Sequence, residues 1–164
     1  MHRSGSGYES SLDAIGQFFK LAEPWYSQVR RVADDLSREG SVKVGVHIRQ
    51  GDFKEHLGGQ HYFTTAQYAK VMRRIGELFP EKVVFLVCSN QLQDPNEFEG
   101  LQYVNGPGHF VTDMYALAEC DYIVGPGISS FSAWASLVGQ KPRYGLFDPE
   151  KEITLADFQV CKKI

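Results

Sequence analysis

One stretch of sequence decides the fold of this chain: Val42-Lys43-Val44-Gly45-Val46-His47-Ile48-Arg49-Gln50-Gly51-Asp52. Its apolar residues alternate from Val42 to Ile48, which predicts a β-strand, and successive strand side chains point to opposite faces. The apolar residues therefore share one face, and Gly45, His47 and Arg49 share the other. A strand ending in His47 and Arg49 puts a cation at the carboxyl end of a sheet, where open α/β sheets bind ligands. The alternative is a strand that simply reaches solvent, followed by a turn at Gly51.

Strands and helices are predicted to alternate along the rest of the chain. The apolar run Val83–Cys88 lacks alternation, as in a strand covered on both faces. Further strands are predicted at 101–104, 122–124 and 144–147. Helices are predicted within 8–21, from Pro24 to Gly40, behind a capping box at Thr64, at 111–119, and behind Ser129 or Ser130. This alternation predicts an α/β fold with a Rossmann-like, doubly wound parallel sheet.

Length and composition indicate one domain of ordinary size. The chain has 164 residues, of which 43% are hydrophobic and 23% charged, a balance typical of globular domains. We interpret residues 1–7 as a flexible leader and residues 8–164 as a single domain. The net charge of −3 provides no field to attract nucleic acid or an anionic membrane. No apolar run approaches the roughly 20 residues of a membrane-spanning helix.

The cysteines bear on the cellular compartment. Cys88, Cys120 and Cys161 are odd in number and far apart, and they form neither a CxxC pair nor a disulfide framework. We therefore expect a reducing environment and predict a cytoplasmic location.

A second candidate binding segment runs from Gly125 to Ser132 and contains three serines. It joins a predicted strand to a helix, where free backbone N–H groups and the helix dipole favour an anion. The alternative is an ordinary capped helix after a glycine-rich turn. The segment matches neither the dinucleotide pattern GxGxxG nor a Walker loop. It also lacks the second glycine of a GxSxG nucleophile elbow, because Phe131 follows Ser130.

Asp113 and the histidines complete the candidate residues. Asp113 falls in the first turn of a predicted helix, where it could contact a ribose or a base or simply complement the helix dipole. The histidines form no HxH or HExxH pair, and no cysteine pair supports them. A metal site is therefore disfavoured.

These motifs, in this order, resemble the fucosyltransferase superfamily, and the α-1,2-fucosyltransferases in particular. The segment from His47 to Asp52 resembles the family's HxRRGD motif. Two further segments are similar to its downstream signature, Asp113-Met114-Tyr115-Ala116-Leu117 with Cys120-Asp121-Tyr122-Ile123-Val124-Gly125-Pro126, and Ser129-Ser130-Phe131-Ser132-Ala133-Trp134-Ala135-Ser136. The resemblance covers roughly residues 42–147, and three ordered motifs are more specific than any one of them.

The resemblance implies the carboxyl-terminal, nucleotide-sugar-binding half of a GT-B glycosyltransferase, with the amino-terminal, acceptor-binding half missing. It implies inverting, metal-independent transfer of fucose from GDP-fucose to a sugar hydroxyl, with no cofactor besides that donor substrate. Arg49 and His47 would then be catalytic, with Arg49 assisting departure of GDP. The implied donor-binding set is Arg49, Asp113, Ser129, Ser130, Phe131, Gly127 and Ser89.

The chain departs from the family pattern in two places. Gln50 stands where the family has a second arginine, and Ser89-Asn90 stand where paired acids are common. Asp52 could order its loop or act as a base. Two alternatives therefore stay open, a transferase of the same fold that uses another nucleotide sugar, and an incomplete or non-catalytic nucleotide-binding module. A flavodoxin-like domain is disfavoured, because no acid follows the first strand directly and no flavin phosphate loop is recognisable.

Overall fold

A computed structural model describes residues 20–162 of the chain. The leader and nearly all of the helix predicted within 8–21 lie outside this range. Four helices are described, α1 (Trp25–Glu39), α2 (Thr65–Gly76), α3 (Phe110–Ala118) and α4 (Ser130–Gly139). The described strands are β1 (Val42–Ile48), β2 (Val83–Ser89), β3 (Tyr103–Asn105), β4 (Tyr122–Pro126), β5 (Pro142–Leu146) and β6 (Gln159–Val160). No helix among these residues is long and apolar enough to cross a membrane.

The strands form one sheet in the order β3-β2-β1-β4-β5-β6. The first five strands are parallel, and β6 pairs antiparallel with β5. The first strand, β1, lies at the centre of the sheet. The next two strands add outward on one side as far as β3, and β4, β5 and β6 then add on the other side of β1. This is the order of a doubly wound Rossmann-like sheet, with its switch point between β1 and β4. The predicted fold class is confirmed.

The two faces of β1 carry different cores, as its alternation predicts. Val44, Val46 and Ile48 are fully buried against the apolar stripe of α2. On the other face Gly45 lies under α3, where an added Cβ would come within 2.7 Å of Leu117. The glycine thus allows α3 to approach the sheet closely. Beyond it on the same face are His47 and Arg49, at the carboxyl edge of the sheet.

Local signals set several of the element boundaries. The predicted capping box opens α2, where the Thr64 side chain accepts from the Gln67 N–H and the Gln67 side chain accepts from the Thr64 N–H. The polar stretch after β1 contains two short 3₁₀ turns, Gly51–Lys54 and His56–Gly59. Gly125 and Pro126, predicted as loop, instead extend β4 and pair with β5. The two-residue strand β6 has no alternation long enough to predict it.

Candidate functional site

Two cavities adjoin at the carboxyl edge of the sheet and share His47, Arg49 and Phe131. The first, of about 300 Å³, lies in front of the start of α4 and is called the α4 cavity. The second, of about 240 Å³, lies beside the start of α3 and is called the α3 cavity. Together they form a continuous depression across the switch point, where a sheet of this topology binds its ligands.

Arg49 is the cation shared by the two cavities. Its Nε lies 2.9 Å from Oδ1 of Asp52, and its Nη2 donates to Oδ2 of the same carboxylate at 3.0 Å. The guanidinium carbon also lies 5.9 Å from the centre of the Phe53 ring. These contacts use one edge of the guanidinium and fix its plane. A guanidinium held in this way can donate in parallel to two phosphate oxygens.

Asp52 orients Arg49 and ties it to the neighbouring strand. Its Oδ1 accepts a long hydrogen bond of 3.4 Å from the Asn90 side chain, which follows β2. The hydrogen bond from Arg49 holds the pKa of this exposed carboxyl below its ordinary value. A lowered pKa makes a carboxylate a weaker base. Of the two roles open to Asp52, these contacts favour ordering of the loop.

His47 is buried between the cavities and lies next to the start of α4. Its Nδ1 is 3.2 Å from Oγ of Ser129, and its ring lies 4.6 Å from that of Phe131, centre to centre. Burial, and then the guanidinium groups of Arg49 and Arg143, lower the pKa of His47 from 6.5 to about 3. The imidazole is therefore neutral at physiological pH and is a poor proton acceptor.

The start of α4 presents hydrogen-bond donors to its cavity. Ser129 is the N-cap and accepts from the Ser132 N–H at 3.4 Å. Ser130 is exposed at the first helical position, and both serines line the α4 cavity with Phe131. Among residues 20–162 the backbone N–H groups of Ser130 and Phe131 have no acceptor. The first turn of α4 also lacks an acidic residue, so its partial positive charge is open to an anion.

Gly127 does not contribute to either cavity. Its N–H donates to the Leu146 carbonyl at 2.7 Å, and an added Cβ would come within 2.2 Å of the Phe147 ring. Its N–H is therefore committed to the sheet, and its lack of a side chain serves close packing. The structure thus places Gly127 beside the two cavities rather than in their lining, and its role in donor binding stays a prediction.

Asp113 is the carboxylate of the α3 cavity. It is buried in the first turn of α3, and its Oδ1 accepts from the Gly108 N–H at 2.9 Å. Burial raises the pKa of Asp113, and the Gly108 hydrogen bond opposes that rise. A buried carboxylate at a cavity wall, with two lone pairs on each oxygen, is suited to accept further hydrogen bonds from a ligand.

Ser89 and Gln50 connect the loops after β2 and β1 through hydrogen bonds to Gln93. The Ser89 side chain lines the α3 cavity and accepts from the Gln93 side chain at 3.0 Å. Gln50 is buried, donates to the Phe63 carbonyl at 3.0 Å, and accepts from Gln93 at 2.9 Å. Gln50 lies outside the lining of both cavities. This position therefore provides structural support in this chain, whatever charge the related motif carries.

Sequence reasoning missed several residues at these cavities. Phe53 and His56 line the α4 cavity from the 3₁₀ turns, and the exposed ring of Phe110 lines the α3 cavity. Their position just after a strand or at the start of a helix at the carboxyl edge was an available signal. Arg143, on β5, is buried beneath the start of α4, and no local pattern indicates it.

Within residues 20–162, no group of three or more His, Cys, Asp or Glu side chains comes together that could hold a metal ion. The described histidines instead contact aromatic rings, and His109 stacks between Trp25 and Phe110.

No protein-family model matches this chain, and no curated protein sequence is significantly similar to it. Comparison of the structure does find solved proteins with a similar fold. The chain is similar to NodZ α-1,6-fucosyltransferase soaked with GDP-fucose, with a TM-score of 0.57 and 17% identity over 92% of this chain. It is also similar to Arabidopsis thaliana FUT1 with GDP (TM-score 0.60, 15% identity, 90% coverage). A third relative is POFUT1 with GDP (TM-score 0.60, 14% identity, 88% coverage).

These likenesses show a shared Rossmann-like fold. Identities of 14–17% are too low to show more than that. The chain spans 65% of the NodZ structure, 39% of the FUT1 structure and 52% of the POFUT1 structure. It therefore corresponds to only part of each of these proteins.

Proposed function

We propose that this chain is the donor-binding half of a fucosyltransferase-like glycosyltransferase and binds GDP-fucose across the α4 and α3 cavities. One observation carries the proposal. A fixed guanidinium and an open helix start lie in one cavity, a buried carboxylate lies in the next, and the two cavities meet at Arg49. A nucleoside diphosphate needs this pairing of an anion site with an acceptor for its base. The three solved structures described above were determined with GDP or GDP-fucose.

The two cavities would receive different parts of the donor. The diphosphate would lie in the α4 cavity, between Arg49 and the N–H groups of Ser130 and Phe131. The base would lie in the α3 cavity, next to Asp113. Guanine presents two adjacent N–H donors, at N1 and N2, and a single carboxylate can accept from both. This complementarity favours GDP over UDP and ADP.

Arg49 would be the main catalytic group. When the glycosidic bond to the diphosphate breaks, negative charge grows on the leaving GDP. A prepositioned guanidinium stabilises that charge and can lower the barrier by about 3–4 kcal/mol. This chemistry requires no metal, so metal-independent transfer is part of the proposal. Transfer would proceed with inversion, with a base that deprotonates the acceptor hydroxyl.

His47 would act by holding the site in shape. Because its imidazole is neutral and bonded to Ser129, it is suited to fix the start of α4 beside Arg49. The carbohydrate acceptor would bind the amino-terminal half of a GT-B enzyme, which closes over the donor. The HxRRGD-like motif and the α-1,2 subfamily remain part of this proposal. The cytoplasmic location stays a prediction from the cysteines.

Calorimetric titration of GDP, UDP and ADP into the purified chain tests the proposal. We expect a clear preference for GDP, with heats from UDP and ADP at the level of dilution. A preference for UDP or ADP would retain a nucleotide-binding role but overturn the donor and favour another nucleotide sugar. Absence of binding by all three nucleotides would contradict the proposed function.

A non-catalytic nucleotide-binding module is the second candidate. The observation that favours it is Gln50, which stands where the resembling motif carries a second arginine and lies outside the lining of both cavities. A donor-binding domain by itself does not exclude water or position an acceptor, so transfer by the purified domain alone is expected to be slow. Incubation with GDP-fucose and a panel of sugar acceptors separates the two candidates. GDP binding without fucosylated product would favour the module, and a fucosylated product would exclude it.

A further inference from the structure

Arg143 is a buried cation that lies directly behind the α4 cavity. Its side chain comes from β5 and is 9% exposed. Its Nε donates to Oγ of Ser132 at 2.9 Å, and its Nη2 donates to the Pro126 carbonyl at 2.5 Å. Nη2 is also 3.4 Å from the Gly127 carbonyl. The guanidinium therefore joins the end of β4 to the first turn of α4.

The surrounding backbone is shaped to admit this guanidinium. An added Cβ on Gly145 would come within 3.3 Å of Nη1 of Arg143 and within 3.2 Å of Cα of Gly127. Two glycines thus allow the β4–α4 loop and β5 to close around the side chain. By holding the carbonyls of Pro126 and Gly127 on one side of the loop, Arg143 fixes the backbone that leads to Ser130, whose N–H is free.

The charge of Arg143 has no acidic partner within residues 20–162. Its three oxygen acceptors, on Ser132, Pro126 and Gly127, are neutral, the Cys161 side chain is a further neighbour, and none of the ion pairs among these residues includes it. Arginine stays protonated in proteins, although burial lowers the pKa of Arg143 and the nearby Cys161 thiol opposes that change. Burial of an uncompensated charge is costly, which raises the question of which anion balances it.

Arg49 alone cannot balance a diphosphate. It is the only arginine or lysine among the described residues that line the two cavities, and Asp52 already neutralises it. A nucleoside diphosphate brings at least two negative charges. The field of Arg143 reaches the cavity wall, because it acts with that of Arg49 on the imidazole of His47. Arg143 therefore carries a positive charge without an acidic partner, and it lies next to a cavity whose own positive charge is too small to balance a diphosphate.

We propose that Arg143 is a positioning residue of the diphosphate site. It fixes the start of α4 from behind and supplies the second positive charge that balances the phosphates without touching them. This inference rests on the proposed function and extends it to a residue outside both cavities.

Cys161 allows the charge to be tested without removing the arginine. Its thiol lies beside the guanidinium and is only partly buried. C161D places a carboxylate next to Arg143 and retains the hydrogen bonds of the guanidinium to the loop. C161N is the matched control, because it has the same size and no charge. We expect C161D to bind GDP at least about tenfold more weakly than C161N, with guanosine affinity equal to within about twofold. The melting temperature without ligand should be higher for C161D than for C161N, since the buried cation gains a partner.

R143M and R143K test the side chain itself by calorimetry with GDP, GMP and guanosine. R143M should bind each ligand more weakly than wild type does, by a factor that grows with the number of phosphates on the ligand. The loss should be greatest for GDP, smaller for GMP and absent for guanosine. R143K should recover most of the affinity for GDP, because it restores the charge. Melting temperatures report whether each variant folds, and the C161D and C161N pair decides the question if R143M does not.

The outcomes separate this inference from the proposed function. Failure of the wild-type chain to bind GDP would contradict the proposed function and, with it, the role of Arg143. If wild type binds GDP and C161D binds it as tightly as C161N, the proposed function stands and the charge role of Arg143 is overturned. Equal losses of GDP and guanosine in R143M and C161D would show that Arg143 only maintains the fold.

Discussion

The helix starts of α3 and α4 lie at the same edge of the sheet but carry opposite charge environments. α3 begins at His109, whose Nδ1 accepts from the Val111 N–H at 3.3 Å, and it has Asp113 in its first turn. α4 begins at Ser129, and no acid occupies its first turn. Arg49 faces the start of α4, and Arg143 lies behind it. The backbone dipole is the same in both helices, so side chains alone make the difference.

This contrast teaches which part of a ligand each helix can hold. At α3 the carboxylate of Asp113 already complements the helix dipole, so its cavity is suited to hydrogen-bond donors such as those of a base. At α4 no acidic side chain offsets the helix dipole or the charge of Arg143 among the described residues, so its cavity is suited to an anion. The distinction between the cavities thus rests on where one acidic side chain lies. The following variants break or sharpen this contrast.

Removal of the cation at the start of α4 should have the largest effect. Arg49→Gln removes the charge-assisted hydrogen bonds to phosphate, and we expect GDP to bind about 3 kcal/mol more weakly, roughly 150-fold. The side chain is 38% exposed, so the fold should persist. Calorimetry with GDP measures the loss. The matched control is Arg30→Gln, which removes a somewhat more exposed charge, likewise paired with an aspartate, from α1. Equal GDP affinity in the two variants would remove Arg49 from the site.

The field at the start of α4 should also appear in the pH dependence of stability. The pKa of His47 is lowered from 6.5 to about 3, so between these values the unfolded chain binds a proton that the folded chain does not. Stability contributed by neutral His47 is therefore present above pH 6.5 and is lost as the pH falls towards 3. At pH 5 the loss is about 2 kcal/mol.

His47→Gln should abolish this part of the acid sensitivity. Urea unfolding at pH 7 and pH 5 gives the difference in the free energy of unfolding for each protein. We expect that difference to be about 2 kcal/mol smaller for the variant than for wild type. His56→Gln, which alters an exposed histidine of the same cavity, should keep the wild-type difference. An unchanged pH dependence in His47→Gln would contradict the buried, neutral imidazole.

The acidic residue of α3 should affect binding and stability in opposite directions. Asp113→Asn should weaken GDP binding by about 1.5 kcal/mol, roughly tenfold, and narrow the preference for GDP over ADP. Burial raises the pKa of Asp113, so its carboxylate destabilises the fold as the pH rises through the range between its unfolded and folded pKa values. The asparagine avoids that cost.

The measurements are calorimetry with GDP and ADP and thermal unfolding at pH 7. At this pH the Asp113→Asn protein should be at least as stable as wild type. Asp34→Asn, on the exposed face of α1, is the control for loss of one negative charge. A nucleotide preference equal to that of wild type would show that Asp113 does not contact the base.

The contrast between the starts of α3 and α4 could be predicted in part from the sequence, because much of it depends on residues that are close together in the chain. The alternation of β1 predicted the side of the sheet that carries His47 and Arg49, and parallel strands bring their carboxyl ends to one edge. The serine cap of α4 and the acid in the first turn of α3 are likewise local features. All of these follow from periodicity and capping rules.

The parts that could not be predicted depend on contacts between distant segments. Arg143 lies on β5, and its partners lie on β4, the following loop and α4. Gly127 was expected to bind the donor, but Phe147 covers it from the loop after β5. Gln50 lies in the segment His47–Asp52, but its side chain is buried and forms hydrogen bonds with Phe63 and Gln93. No pattern within a single helix or strand encodes these pairings.

The smallest expected effect on GDP binding is that of the hydroxyl of Ser130 at the start of α4. It can be separated from an effect on stability because Ser129, and not Ser130, is the N-cap of the helix. Ser130→Ala removes an exposed hydroxyl from the α4 cavity and should weaken GDP by about 1 kcal/mol, roughly fivefold, without affecting guanosine. Its stability should stay within about 0.5 kcal/mol of wild type. Ser129→Ala removes the N-cap and the bond to His47, so it should also lose about 1 kcal/mol of stability. Ser37→Ala, an exposed serine of α1, controls for loss of a hydroxyl. Equal losses of GDP and guanosine in Ser130→Ala would mean that α4 holds no phosphate, and the contrast between the two helix starts would then lack a functional meaning.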